Sequence, residues 1–280
     1  MTDPPADPAD RADLAQRAET FLRTWDLRRD GPPMSGRCAL VLPVRRADGT
    51  PAVLKLQDVD DETVGEPLAL RTWNGDGAVR LLAEAEDGTG TLLLERLDPT
   101  RTLHHLPDTR QATLVVAGLL AHLTATPAPP ALRRLADLAP RLLDEAATLL
   151  PRLDDPTLLK NCAAAVREVV ADPGDRLLHW DLHFENVLAA DRAPWLAIDP
   201  KPLAGDPGFE LFPALWNRFD ADEVRWRFDA MTDVMGLDRD RARAWTLARV
   251  LGGSLWRIED GHPPLPEHLE IAARLLARSG

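Results

Sequence analysis

The 280-residue chain carries 33 basic and 45 acidic side chains, a formal charge of −12, and is 45% hydrophobic. That length can bury a core without cross-links, and Cys38 and Cys162 lack the spacing of a zinc site or a disulfide framework. The acidic balance argues against nucleic acid, whose phosphates need a positive face; it would steer a cationic small molecule favourably, and it also simply confers solubility.

The start, Met1 to Pro8, is acidic and proline-rich and reads as a loose tail, without the basic and apolar parts of a signal peptide. Over 11–25, Leu14, Ala18, Phe21, Leu22 and Trp25 recur at helical spacing. A loop rich in Gly and Pro over 30–36 precedes a strand over 38–44, and the turn Ala47-Asp48-Gly49-Thr50 closes a hairpin with a strand over 51–56. A helical segment over 61–73 and strands over 78–82 and 91–94, flanking the Asp87-Gly88 turn, complete a small, mostly antiparallel sheet with a helix. Past Leu97 the pattern turns helical, over 109–126, 132–150 and 155–171. Its longest apolar run, 114–123, is too short to span a bilayer and carries His122. Short strands follow at Val187–Ala189 and 195–198, then helices over 209–217, 221–235, 238–256 and Pro266–Leu276.

Between the last long helix of that first set and these strands lies His179-Trp180-Asp181-Leu182-His183-Phe184-Glu185-Asn186, followed by Ile198-Asp199-Pro200-Lys201-Pro202. An aspartate, an asparagine and a second aspartate in this order suit phosphoryl transfer from a magnesium-bound nucleotide. Asp181, on a loop read as joining a helix to a strand, can accept a hydroxyl proton, and Asn186 and Asp199 offer oxygens to a hard cation. His179 and His183 are four residues apart, but on irregular backbone they do not share a face, so orienting hydrogen bonds are favoured over zinc. In the early strand, Val53, Lys55 and Gln57 share a face; a lysine turned into an apolar cleft needs a charged partner, whereas an edge-strand lysine would point outward.

The stretch 179–186 resembles the His-Gly-Asp-x-x-x-x-Asn catalytic loop of aminoglycoside phosphotransferases, itself similar to the His-Arg-Asp loop of protein kinases. With Ala-Ile-Asp-Pro-Lys-Pro-Leu-Ala-Gly-Asp-Pro-Gly-Phe-Glu-Leu at 197–211, it looks like the streptomycin and hydroxyurea phosphotransferase group of that family. The resemblance implies an α+β, two-lobed, protein-kinase-like fold. Residues 1–97 would form the nucleotide-binding lobe with its antiparallel sheet, and 98–280 a mostly helical acceptor lobe, with the nucleotide between them. ATP, with GTP as the alternative, and Mg²⁺ are the implied cofactors. Asp181 would be the base and Asn186 and Asp199 the magnesium holders. Lys55 would reach the nucleotide phosphates with Glu66 as its partner; Pro67 sets Glu66 in a helix's first turn, and Glu62 is the substitute.

By the same resemblance, main-chain groups near Glu95 and Leu97 would hold a purine, while Gly31-Pro32-Pro33-Met34-Ser35-Gly36 does not form Gly-x-Gly-x-x-Gly. Asp206 would brace the catalytic loop, and by local chemistry it is an N-cap before Pro207. Lys201 would approach a transferred phosphate or make a surface salt bridge. Trp216, Asn217, Arg218, Asp220 and Glu259 are the candidate acceptor contacts. The expected activity is transfer of a γ-phosphoryl group to a hydroxyl of a small antibiotic, streptomycin first and hydroxyurea next. A housekeeping small-metabolite kinase and a non-catalytic nucleotide-binding pseudokinase are the alternatives. A cytoplasmic monomer or weak dimer, without nucleic acid or membrane partners, is expected.

Overall fold

The computed structural model describes residues 8–35, 39–86 and 88–277, and the chain divides into two units between Asp98 and Pro99. The proline-rich start up to Asp7, Gly36, Cys38 and Asp87 lie outside the described residues. In the first unit, helix α1 (Pro8–Thr24) precedes strands β1 (Arg28–Arg29), β2 (Met34–Ser35), β3 (Ala39–Arg45) and β4 (Pro51–Gln57). Helix α2 (Glu66–Trp73) then leads to β5 (Leu81–Glu84) and β6 (Thr91–Glu95). The sheet is antiparallel, in the order β1-β3-β4-β6-β5, with β2 on β3.

Alternation along β4 decides what each face does. Ala52, Leu54 and Leu56 pack with Ala18, Phe21 and Leu22 of α1, each buried leucine contributing roughly 1.5–3 kcal/mol. Lys55 and Gln57 necessarily point to the opposite face, where Glu66 of α2 meets them. The helix expected over 61–73 starts only at Glu66. Asp60 accepts the Glu62 and Thr63 amides, and this local turn competes with helix before Gly65. The strand expected over 78–82 is displaced to β5, with an irregularity between Leu81 and Ala83, because Gly75 and Gly77 at φ 84° and 75° keep the chain turning. Part of the expected 30–36 loop is the short strand β2, paired with β3.

The second unit begins within strand β7 (Asp98–Thr102), followed by helices α3 (Thr109–Leu123), α4 (Leu135–Leu149) and α5 (Thr157–Val169). Next come β8 (Arg176–Leu178), β9 (Val187–Ala189), β10 (Leu196–Ala197) and β11 (Leu203–Gly205), then α6 (Phe212–Trp216), α7 (Val224–Met235), α8 (Arg239–Glu259) and α9 (Pro266–Leu276). Asp108 and Asp238 cap α3 and α8 by accepting first-turn amides. Helix α8 supplies Trp245 and Ala248 to a core with Leu135 and Ala139 of α4, Val166 of α5, Leu178, Leu203 and Phe209.

Two small sheets frame the loop that carries the motif: β8 pairs with β11, matching Leu178 to Leu203, and β9 lies between β10 and β7. The loop therefore leaves a strand, not a helix as the sequence suggested; a three-residue strand is too short to display alternation. Gly174, at φ 77°, brings the entering chain so close that an added Cβ would lie 2.8 Å from the Asp206 amide. The helix expected over 209–217 is a 3-10 turn, Pro207–Glu210, followed by the short α6.

Candidate active site

The second unit takes backbone that glycine would enter more readily at Asp199 itself, φ 56°, and at Trp180, φ 65°, the residue before Asp181. Leu182 and Phe184, both 0% exposed, anchor the loop and leave Asp181 partly open. His179 is fully buried; its Nε2 faces the Ile198 carbonyl at 2.9 Å and its Nδ1 accepts the Asp181 amide at 3.4 Å. A carbonyl can only accept, so the ring proton sits on Nε2. Burial lowers the ring's pKa to about 4, which keeps it neutral. His183 accepts the Glu185 amide through Nδ1 and caps the 3-10 turn Phe184–Asn186. Both histidines are thus loop-orienting groups, and no cluster of three or more His, Cys, Asp or Glu ligands occurs among the described residues.

Backbone bonds knit the two motif segments together. Ile198 N–H donates to Asn186 O (2.9 Å) and Lys201 N–H to His179 O (3.0 Å). Asn186 Nδ2 donates to the Asp181 carbonyl (2.9 Å), so its Oδ1 points the other way as an oxygen donor. Lys201 Nζ lies 3.8 Å from Asp181 Oδ2. Asp181, Asn186, Asp199 and Lys201 are therefore assembled in one unit, with three side-chain oxygen groups and one ammonium.

Glu210 sits beneath this loop, fully buried, and its carboxylate accepts the backbone amides of His179 and Trp180. Burial pushes its carboxyl up to about 7, against the opposing pull of those two N–H groups and Arg249. The bracing expected of Asp206 is performed by Glu210 instead. Asp206 caps the 3-10 turn through the Gly208 amide (2.7 Å) and pairs with Arg241 (2.5 Å), the local role that Pro207 indicated.

In the first unit, Lys55 is 3% and Glu66 1% exposed, and Nζ donates to both carboxylate oxygens at 2.7 and 2.8 Å. Gln57 Nε2 adds a bond of 2.5 Å to Oε2. Lys55 thus points inward, and Glu66, the first residue of α2 with Pro67 after it, is its bidentate partner. At the end of β6, Glu95 gives its amide to Arg80 O (3.0 Å), while Leu97 is buried.

The acceptor candidates separate. Arg218 and Asp220 line a pocket of about 580 Å³ with Asp108, Arg110, Glu223 and Arg227. Its arginines are engaged: Arg110 with Glu223, Arg218 with the carbonyls of His104, Leu106 and Pro107, and Arg227 with those of Ala214, Asn217 and Arg218. The carboxylates of Asp108 and Asp220 accept hydrogen bonds only from backbone amides. Arg218 has φ 51°, and the preceding Asn217 Oδ1 is buried without a hydrogen bond. Trp216 is not among the lining residues and stacks edge-on to His268 (5.6 Å), and Glu259 lies exposed at the end of α8. Glu210 was given no role in the sequence although it stands inside the 197–211 stretch, and Arg227 was not singled out, since nothing near the catalytic loop marks residues that act from later elements.

The fold is that of small-molecule phosphotransferases with a kinase-like α+β architecture: the macrolide 2'-phosphotransferase MphH of Brachybacterium faecium matches with a TM-score of 0.62 at 19% identity, covering 96% of this chain and 99% of that one. The family model described as aminoglycoside/hydroxyurea antibiotic resistance kinase matches residues 24–261, and the chain belongs to that family of kinases. Among its relatives, the hydroxyurea phosphotransferase of Kitasatospora aureofaciens is 60% identical over 273 residues, 95% of this chain and 80% of that protein. The streptomycin 6-kinase of Streptomyces glaucescens is 52% identical over 276 residues, 94% and 90% respectively.

Proposed function

We propose that this kinase transfers the γ-phosphoryl group of ATP to a hydroxyl of a streptomycin-type aminoglycoside. The observation that carries the chemistry is the backbone-knit group of Asp181, Asn186, Asp199 and Lys201. Asp181, partly open beside Lys201, takes the proton as the acceptor oxygen bonds to the γ-phosphorus and the bond to the ADP oxygen breaks. Lys55, held by Glu66, is assigned to the nucleotide phosphates, and the backbone near Glu95 and Leu97 to the purine, with GTP as the alternative donor. The oxygens of Asn186 and Asp199 fit a hard divalent cation, and Mg²⁺ held by them would supply charge neutralisation on the phosphates.

For the acceptor, the pocket bearing Arg218 and Asp220 supports a drug-sized molecule, since about 580 Å³ falls in the range such ligands occupy. Its carboxylates Asp108 and Asp220 accept backbone amides and feel Arg110 and Arg227 only through space, which leaves them able to meet a cationic acceptor. Lys201, beside Asp181, is kept as an acceptor contact at the reacting end, while Trp216, Asn217 and Glu259 do not line this pocket and would touch only an acceptor that reaches beyond it. Hydroxyurea is the second reading, favoured by the 60% identical relative. In this reading, residues 1–97 serve the nucleotide and 98–280 the acceptor, in a cytoplasmic monomer or weak dimer; no described helix is long and apolar enough to cross a membrane. The test is coupled nucleotide consumption with streptomycin, other aminoglycosides and hydroxyurea, each with ATP and GTP. Turnover with ATP and streptomycin is expected; turnover with hydroxyurea alone, or with none of them, overturns the acceptor assignment.

A further inference from the structure

Trp180 occupies the position where the resembling loop has glycine, and it does so at φ 65°, a costly backbone for a bulky side chain. Such strain persists where surroundings hold it, and here two arginines do. The Arg133 guanidinium lies 3.8 Å from the Trp180 ring centroid. Its Nε and Nη2 also reach the carbonyls of Pro202 and Lys201, at 3.4 Å each. The Arg249 guanidinium lies 5.1 Å from the same ring and donates to the Trp180 carbonyl at 3.0 Å. Arg249 comes from α8 and also lies against the Phe209 and Phe212 rings, so it ties Trp180 to the core.

We propose that Arg133, Trp180 and Arg249 form a clamp that positions Asp181, by fastening its loop to the segment just after Asp199; this rests on the reading of Asp181 as the acceptor base. A planar guanidinium can stack on an indole with its face while its edge donates to two carbonyls, and an ammonium cannot do both. The three residues are positioning residues. Displacement of a reacting group by about 1 Å costs on the order of a hundredfold in rate, and the clamp guards against that displacement.

The test pairs hydrogen exchange with kinetics on full-length Arg133→Ala, Arg133→Lys and wild-type protein. Expected in Arg133→Ala are faster amide exchange in peptides spanning 179–186 and 199–203 and an unchanged melting temperature. kcat should fall about 10- to 100-fold with nucleotide KM within about twofold, and Arg133→Lys should not restore it. Unchanged exchange in both segments, rescue by lysine, or a kcat loss matched by lost thermal stability overturns the clamp. Should wild type turn over no acceptor while exchange still responds to Arg133→Ala, the clamp stands and the proposed function falls.

Discussion

Replacing Glu210 by glutamine gives the sharpest test of how the catalytic loop is held. The carboxyl is fully buried, and burial lifts it from an ordinary 4.5 to about 7. An acid with a raised folded-state pKa binds its proton more tightly in the native protein. Its contribution to stability is fully present below pH 4.5, declines as pH rises, and is lost above about 7. At 1.36 kcal/mol per unit, the decline amounts to about 3 kcal/mol. Glutamine does not titrate, so unfolding free energies from urea denaturation, measured from pH 4.5 to 8 on wild type and Glu210→Gln, should differ by an amount that moves against wild type by about 3 kcal/mol across that window. Titrations common to both proteins cancel in this difference. A difference that stays flat with pH would show that Glu210 ionises at an ordinary pH and that its two amide bonds outweigh burial.

Three further outcomes follow from the packing. Glu66→Ala takes the bidentate carboxylate away from the 3%-exposed Lys55 ammonium and should cost about 3–5 kcal/mol, whereas Lys55→Met with Glu66→Leu should cost less because both members of the pair are removed together; urea denaturation of both variants checks it, and a double variant weaker than the single one refutes it. Asp181→Ala should lower turnover by about 10²- to 10⁴-fold and leave nucleotide affinity by calorimetry nearly unchanged; near-normal turnover removes Asp181 from the chemistry. Gly174→Ala places a Cβ 2.8 Å from the Asp206 amide at φ 77° and should destabilise by more than about 1 kcal/mol, read as a lowered melting temperature; an unchanged value refutes the close approach.

How much of this was legible depended on sequence distance. Asp181, Asn186 and Asp199 lie within one short stretch whose order reveals their chemistry. Alternation placed Lys55 on the face of Val53 and Gln57 but left it open whether that face looks inward, and Glu66 came from the family resemblance, with Pro67 setting it at a helix start and Glu62 as the substitute. The strands β7, β8 and β11 span only three to five residues, too few for a period to emerge. Glu210, Arg133 and Arg249 act on Trp180 and His179 from 30 to 69 residues away, and no local pattern announces such partners. Asp206 illustrates the same limit from the other side: its cap was readable from Pro207, while the brace assigned to it belonged to a carboxylate four residues on.

The left-handed tryptophan has a consequence for mutational history. A tryptophan codon becomes a glycine codon by one base change, so a loop relieved of the φ 65° strain at position 180 lies a single mutation away. Taking that step deletes the ring against which Arg133 and Arg249 lie, leaving two cations without the surface that both use. Relief of strain in the backbone and retention of the ring that both arginines use cannot both be had in one step. Positions 133, 180 and 249 are therefore coupled, and a glycine at 180 is expected to be tolerated best where both arginines have changed as well.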